Sequence, residues 1–264
     1  MLIAQISDPH VRPAGFLYQG VVDSNGMFEQ ALKHIAALNP RPDLLLLTGD
    51  LVDEGRAEEY MELRRLLSQC VVPFRVIPGN HDDREQFRAA FSDQQYLPRG
   101  GALHYCLDEF DVRIVALDSC VPNRHHGNLD AQGLEWLERT LDADGLKPTL
   151  LMLHHPPFVS GIPYLDSYRF LEPAPLEALL RRFTNIELVV CGHVHRTMWR
   201  RWAGTIVCAC PSTTTEIALQ LHADAPPLSF VGPRGCLLHR WTPGDGIVTH
   251  LSNIGDSAGP YPFA

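Results

Sequence analysis

The chain has 264 residues, 45% hydrophobic and 20% charged, the profile of a globular domain with one substantial core. A formal charge of −9 excludes a protein that grips a polynucleotide backbone or an anionic membrane through a basic surface. No apolar run reaches the roughly 18 to 20 residues needed to span a bilayer, the start shows no signal-peptide layout, and a cytoplasmic protein is expected. Seven cysteines, scattered and without a C-x-x-C pair, read as buried thiols; Cys208 and Cys210 alternate along one run and face one side.

Taken in chain order, short runs rich in Leu, Val and Ile recur: MLIAQIS, LLLLTGD, FRVIPGN, RIVALDS, TLLMLHH and IELVVCGH. They predict fully buried strands. Between them, 27–38, 57–67, 84–91, 134–141 and 176–183 carry apolar residues at helical spacing, with Asp23, Ser24 and Asp130 as candidate N-caps. Alternation of this kind implies parallel pairing with helices outside. After VVCGH the chain turns strand-like, in MWRRWAGTIVCACPS, GCLLHRWTP and GIVTHLS, which predicts antiparallel strands completing a second sheet. The expected fold is α/β, a four-layer αββα sandwich of two mixed sheets in one domain with a C-terminal arm. Residues 1–222 form the catalytic domain in this reading. Turn-rich insertions at 121–128 and 158–169 are candidate lids, and 223–264 would complete the domain or form an oligomer interface.

Polar residues fall where the apolar runs end: Asp8 and His10, Asp50, Asn80 and His81, His154 and His155, His193 and His195. Ligands of open α/β sheets bind outside the carboxyl ends of strands, so five segments can converge on one crevice. Carboxylate, imidazole and carboxamide without thiolate make a donor set for Zn, Fe, Mn or Co rather than Ca or Mg. The adjacent His155 points away from its neighbour in extended chain and is expected behind the site. His125 and His126 read as exposed loop histidines, although either could meet a substrate. His34, His104, His222, His239 and His250 read as structural, and Trp136 and Leu137 as helix-face core residues.

The blocks SDPH, TGDLVD, PGNHDD, HHPP and CGHVHR, spread over about three quarters of the chain, together resemble the five signature blocks of the calcineurin-like metallophosphoesterase superfamily. The layout is similar to its bacterial branch of class III cyclic-nucleotide phosphodiesterases and glycerophosphodiesterases. MLIAQISDPH, GRAEEY and AGPY resemble the glycerophosphodiesterase subgroup in particular. The resemblance implies two cations roughly 3.5 to 4 Å apart sharing a bridging hydroxide as nucleophile. It assigns Asp8, His10 and His195 to one metal, Asn80, His154 and His193 to the other, and Asp50 to both. His81 would be a phosphate-oxygen donor or general acid beside the substrate-contacting Asn80, and Asp82 an orienting residue. Where the subgroup has a phosphate-facing histidine, this chain has CPSTTTEI, so Thr215 would present a hydroxyl to the substrate.

The expected activity is hydrolysis of small phosphodiesters, namely cyclic nucleotides, glycerophosphodiesters or other alkyl and aryl diesters. A phosphomonoesterase is the nearest alternative, distinguished by extra cations for the added negative charge; Arg12, Arg56 and Arg124 are the candidates. A noncatalytic scaffold with a decayed centre is the alternative from another class. The resemblance further implies a homo-oligomer, and no nucleic-acid polymer or membrane is expected as partner.

Overall fold

The computed structural model describes residues 1–259, 261 and 262. Pro260, within the AGPY stretch, lies outside the described residues. Three buried strands open the chain, β1 (Leu2–Ile6), β2 (Leu44–Thr48) and β3 (Phe74–Ile77), separated by the helices α1 (Ser24–Ala37) and α2 (Ala57–Leu67). Next come α3 (Arg84–Ala90), β4 (Tyr105–Leu107), β5 (Arg113–Leu117), α4 (Ala131–Asp142), β6 (Thr149–Leu153), α5 (Pro163–Asp166), α6 (Pro173–Leu180) and β7 (Ile186–Cys191). The remainder is β8 (Met198–Trp202), β9 (Thr205–Ala209), β10 (Thr215–Ile217), β11 (Ser229–Val231), β12 (Arg234–Thr242) and β13 (Gly246–Ile254). All six predicted strands form. α2 has the predicted bounds, and Asp23 and Asp130 cap α1 and α4 by accepting from Gly26 and Gly133 N–H groups. Ser24 instead lies inside α1 and donates its hydroxyl to the His10 carbonyl. β4, α5, β10 and β11 were not predicted; each is three or four residues long, too short for a periodicity to register.

One sheet runs β13-β12-β1-β2-β3 and the other β4-β5-β6-β7-β9-β8. Within them β1-β2-β3 and β5-β6-β7-β9 are parallel, whereas β12 and β13 join antiparallel beside β1. The strand-rich second half therefore does not complete a single second sheet. β8 and β9 extend one sheet, and β12 and β13 extend the other, because β1 and β7 each leave an edge to be covered. Side chains alternate cleanly in the second sheet. Ile114, Ala116, Leu150, Met152, Leu188, Val190 and Cys208 face the first sheet, while Val115, Leu117, Leu151, Leu153, Val189 and Val207 face α4 and α6. Both faces are buried, which is why these strands read as unbroken apolar runs. The four-layer αββα arrangement follows.

Cys208 and Cys210 both lie in the inter-sheet core, and all seven cysteines are free thiols. A polar chain crosses that core. Gln5 donates to Thr48 Oγ1 and to the Cys191 carbonyl at 2.9 Å each, and its Oε1 lies 3.1 Å from His239 Nε2. His239 closes the chain with its Nδ1 2.9 Å from Thr249 Oγ1. No described helix is long and apolar enough to cross a membrane.

Candidate active site

The parallel strands of both sheets end on the same edge of the sandwich, and the loops leaving β1, β2, β3, β6 and β7 meet there. Of the nine non-glycine residues with positive φ among the described residues, five are Asp8, His10, Asp50, His193 and His195. A left-handed backbone costs a non-glycine residue about 1 to 3 kcal/mol, so such residues persist where surrounding structure over-determines them, and they gather at functional sites. Two glycines make room. A Cβ on Gly49, itself at φ +96°, would lie 2.3 Å from His154 Nδ1, and one on Gly79 would lie 2.2 Å from Asp50 N and Oδ1.

The seven sequence-derived ligand candidates are brought together. Asp8, His10, Asp50 and His195 form one buried group, with ligand atoms within 4.8 Å of one another. His10 Nε2 is 3.1 Å from His195 Nε2, and Asp8 Oδ1 is 3.5 Å from His195 Nε2. Asp50 Oδ2 joins this group to the second, at 3.9 Å from His10 Nε2 and 3.3 Å from His154 Nε2. His154, His155 and His193 cluster on that second side. His155 has both ring nitrogens engaged, Nδ1 at 2.8 Å from Ser119 Oγ and Nε2 at 3.1 Å from the His125 carbonyl, so it supports the site from behind.

The remaining rings are held from their outer atoms. His154 Nδ1 donates to the Thr48 carbonyl at 2.8 Å, His193 Nε2 to the Tyr168 carbonyl at 3.1 Å, and His195 Nδ1 to the Thr215 carbonyl at 3.1 Å. Each contact orients its ring and turns the opposite nitrogen towards the ligand group, and at His154, against the cost of burial, the nearby Asp50 raises the pKa to about 9. Thr215 lines the cleft as expected, but its hydroxyl lies 3.2 Å from His195 Nδ1, where it orients that ring.

The donors fit a divalent cation by an internal criterion. His154 Nε2 and Asn80 Oδ1 are buried with no hydrogen-bond partner, and both belong to the ligand set. Buried polar atoms without partners are rare and costly. Burial, with Asp50 close by, raises the Asp8 carboxyl to about 7 despite the opposing pull of His154; a cation would relieve this. Asp50 is held well below its usual range by the surrounding imidazoles, His154 foremost, against the cost of burial.

His81 stands beside the ligands. Its backbone N–H donates to Asp50 Oδ1 at 2.9 Å and its Nδ1 to the Asp53 carbonyl at 2.6 Å, leaving Nε2 for a substrate. Burial opposes a charged ring, but Asp50, the Asp53 carbonyl and the Asp53 carboxylate outweigh it, and the pKa is raised. Sequence reasoning missed Asp53, whose carboxylate lies 3.5 Å from His81 Nδ1 and 3.6 Å from His10 Nδ1. Its three-residue spacing from Asp50 in TGDLVD was the available signal. Asp82 is the expected orienting residue, accepting from Leu51 and Gly79 N–H groups and from the Tyr60 hydroxyl. His125 reaches the cleft after all: Asn80 Nδ2 donates to its Nδ1 at 3.2 Å, which turns Asn80 Oδ1 towards the ligand group.

The calcineurin-like phosphoesterase family matches residues 1–197. The chain belongs to that family. It is 36% identical over 264 residues, all of this chain and 97% of the relative, to a probable glycerophosphodiester phosphodiesterase GpdQ of Arcobacter nitrofigilis. It is 30% identical over 222 residues, 83% of this chain and 78% of the relative, to the 3',5'-cyclic adenosine monophosphate phosphodiesterase CpdA of Pseudomonas aeruginosa. A solved dimetal phosphatase from Danio rerio shares the fold at a TM-score of 0.62 and 13% identity, covering 97% of this chain and 99% of that one. Family membership and the buried His/Asp clusters together imply divalent metal binding.

Proposed function

We propose that the protein is a metal-dependent hydrolase of small phosphodiesters, with two cations held by Asp8, His10, Asp50 and His195 on one side and by Asp50, Asn80, His154 and His193 on the other. The observation that carries the choice of diester is the charge of the cleft. Its walls present His10, His81, His125, His193 and His195 but neither arginine nor lysine. Arg12 is committed to Asp53, Glu54 and Glu59, Arg56 is exposed and paired with Glu54, and Arg124 is exposed outside the cleft. Beyond the histidines, a dianionic monoester would meet no guanidinium or ammonium group for its additional charge, whereas a diester carries a single charge. The names of the relatives, which include glycerophosphodiester and cyclic-nucleotide phosphodiesterases, support the same class.

Bound cations would lower the pKa of an attacking water and polarise the phosphoryl oxygens. The chain supplies the rest. His81, oriented through Nδ1 and with its pKa raised by Asp50 and Asp53, offers its Nε2 proton to the departing alkoxide, a role worth roughly 10²- to 10⁴-fold. Asn80 is held in one amide orientation by His125. Segments 121–128 and 158–169 act as a joined lid in this proposal: Gly127 N–H donates to the Arg169 carbonyl and Leu171 N–H to the Gly127 carbonyl, while Tyr164 and Tyr168 line the cleft. For the homo-oligomer, exposed Leu219, Leu221, Phe230 and Val231 offer apolar surface to bury.

The test is chelator-stripped protein reloaded with Mn, Zn, Co or Fe and assayed on bis(p-nitrophenyl) phosphate beside p-nitrophenyl phosphate. Metal-dependent preference for the diester supports the proposal. Preference for the monoester would establish the phosphatase alternative, and bound metal without turnover of either would point to the scaffold.

A further inference from the structure

Two recesses meet at the candidate site, and they differ in size and chemistry. The cleft over the ligand group encloses about 300 Å³, walled opposite the histidines by Tyr18, Tyr164, Leu165, Tyr168, Ile217 and Leu228. The second is a trough of about 1060 Å³ lined by Asn123, Asn128, Gln132, Arg139 and the stacked pair His104 and Trp136, whose rings lie 5.2 Å apart. Asn80 and His81 line both. We propose that the substrate is an asymmetric phosphodiester whose compact aromatic or apolar alcohol stays in the tyrosine-walled cleft while a longer, polar, uncharged alcohol lies in the trough and departs.

The inference rests on the diesterase reading and deepens it. The cleft is at the lower end of the roughly 300 to 1,000 Å³ usual for ligand sites, enough for a phosphoryl group and one compact substituent. The second ester arm therefore extends out of the cleft, and the recess that adjoins it through Asn80 and His81 is the trough. Its walls set the arm's chemistry. Asp82, Asp83, Glu85 and Asp118 line it, and of its two arginines Arg84 is bound to Asp118 at 2.6 Å. A second phosphate would meet mostly carboxylates there, which excludes nucleotide chains. Amide, hydroxyl-accepting and indole groups suit a polyol or polyether instead.

His81 decides which bond breaks. It lines both recesses, with Nδ1 engaged by the Asp53 carbonyl and Nε2 free, and in this proposal it serves the ester oxygen on the trough side. Water attacks phosphorus, the P–O bond to the trough alcohol breaks, the alkoxide takes the His81 proton, and one proton of the water returns to His81 while the other stays with the monoester. The products are the free polar alcohol and the monoester of the cleft alcohol, with one water consumed.

The probes are a phenyl phosphodiester of tetraethylene glycol and phenyl methyl phosphate, with products resolved by chromatography. Phenol, with a pKa of about 10, leaves far more readily than an alkyl alcohol with a pKa close to the roughly 15.7 of water. Intrinsic reactivity therefore favours phenol release, and the proposal predicts the opposite: free glycol and phenyl phosphate. The glycol diester should also exceed the methyl diester in kcat/KM by about tenfold or more, since one added contact of this kind discriminates by at least that much. Gln132→Trp, at an exposed position on the trough wall, should bring that ratio down about tenfold. Predominant phenol release, an intact mixed diester, or a ratio insensitive to glycol length or to Gln132→Trp would each overturn the inference, provided the same preparation turns over bis(p-nitrophenyl) phosphate. Failure on bis(p-nitrophenyl) phosphate itself would count against the diesterase reading instead.

Discussion

Asp82 ties the loop after β2 to the loop after β3, and removing it should cost both stability and site geometry. Its Oδ2 accepts from Leu51 N–H at 3.0 Å and Gly79 N–H at 2.8 Å, and its Oδ1 accepts from the Tyr60 hydroxyl at 2.8 Å. In Asp82→Ala two backbone donors and a tyrosine hydroxyl lose their acceptor. A buried donor left unsatisfied costs about 1 to 3 kcal/mol. Asp82 is half-buried and water can replace part of the loss, so the expected destabilisation is about 2 to 4 kcal/mol. That is a large part of a total of about 5 to 15 kcal/mol. Asp82→Asn should differ sharply. Its amide oxygen can still accept from both backbone groups, its amide nitrogen can donate to Tyr60, and the like charge near Asp50 disappears. Burial and Asp50 already raise the Asp82 carboxyl to about 7, so a neutral side chain is tolerated and the cost should stay within about 1 kcal/mol. Equilibrium denaturation of the chelated proteins reads both. Equal stability of the alanine variant and the parent, or equal losses for alanine and asparagine, would refute the argument.

His81→Ala should retain bound metal, measured by elemental analysis, while kcat falls about 10²- to 10⁴-fold; unchanged turnover removes the ring from the mechanism. Thr215→Val removes one of the two contacts to His195 Nδ1, and titration with Co should show weaker loading at one of two sites; identical isotherms would leave the hydroxyl without an orienting role. His239 is fully buried between Gln5 and Thr249, and burial alone lowers its pKa to about 3. Its folded pKa lies below the unfolded value of about 6.5, so its contribution is complete above that pH and is lost as acid protonates the unfolded chain. Between pH 7 and pH 5 the parent should lose about 2 kcal/mol that His239→Gln does not, read as the difference between their denaturation curves; parallel pH dependences would defeat this.

The sequence by itself determined the buried strands and the donors at their ends. The LLLL of β2 and the LLML of β6 are apolar at every position because both sheet faces are covered, and that pattern is local. The ligand set was legible for a related reason: Asp8, Asp50, Asn80, His154, His193 and His195 follow directly on strands, so their order along the chain maps onto one edge of the sandwich. Only the tertiary structure decided which sheet received the late strands, since β12 finds β1 across more than two hundred residues and nothing local specifies that partner. It also decided the roles of Asp53, His125 and Thr215. Each acts through a contact only folding creates: Asp53 with the His10 and His81 rings, His125 with the Asn80 amide, and Thr215 with the His195 ring. The charge of the cleft was beyond the sequence for the same reason. Arg12, Arg56 and Arg124 are visible as cations in any reading of the chain, but whether a guanidinium meets substrate or a carboxylate depends on distances that no spacing encodes.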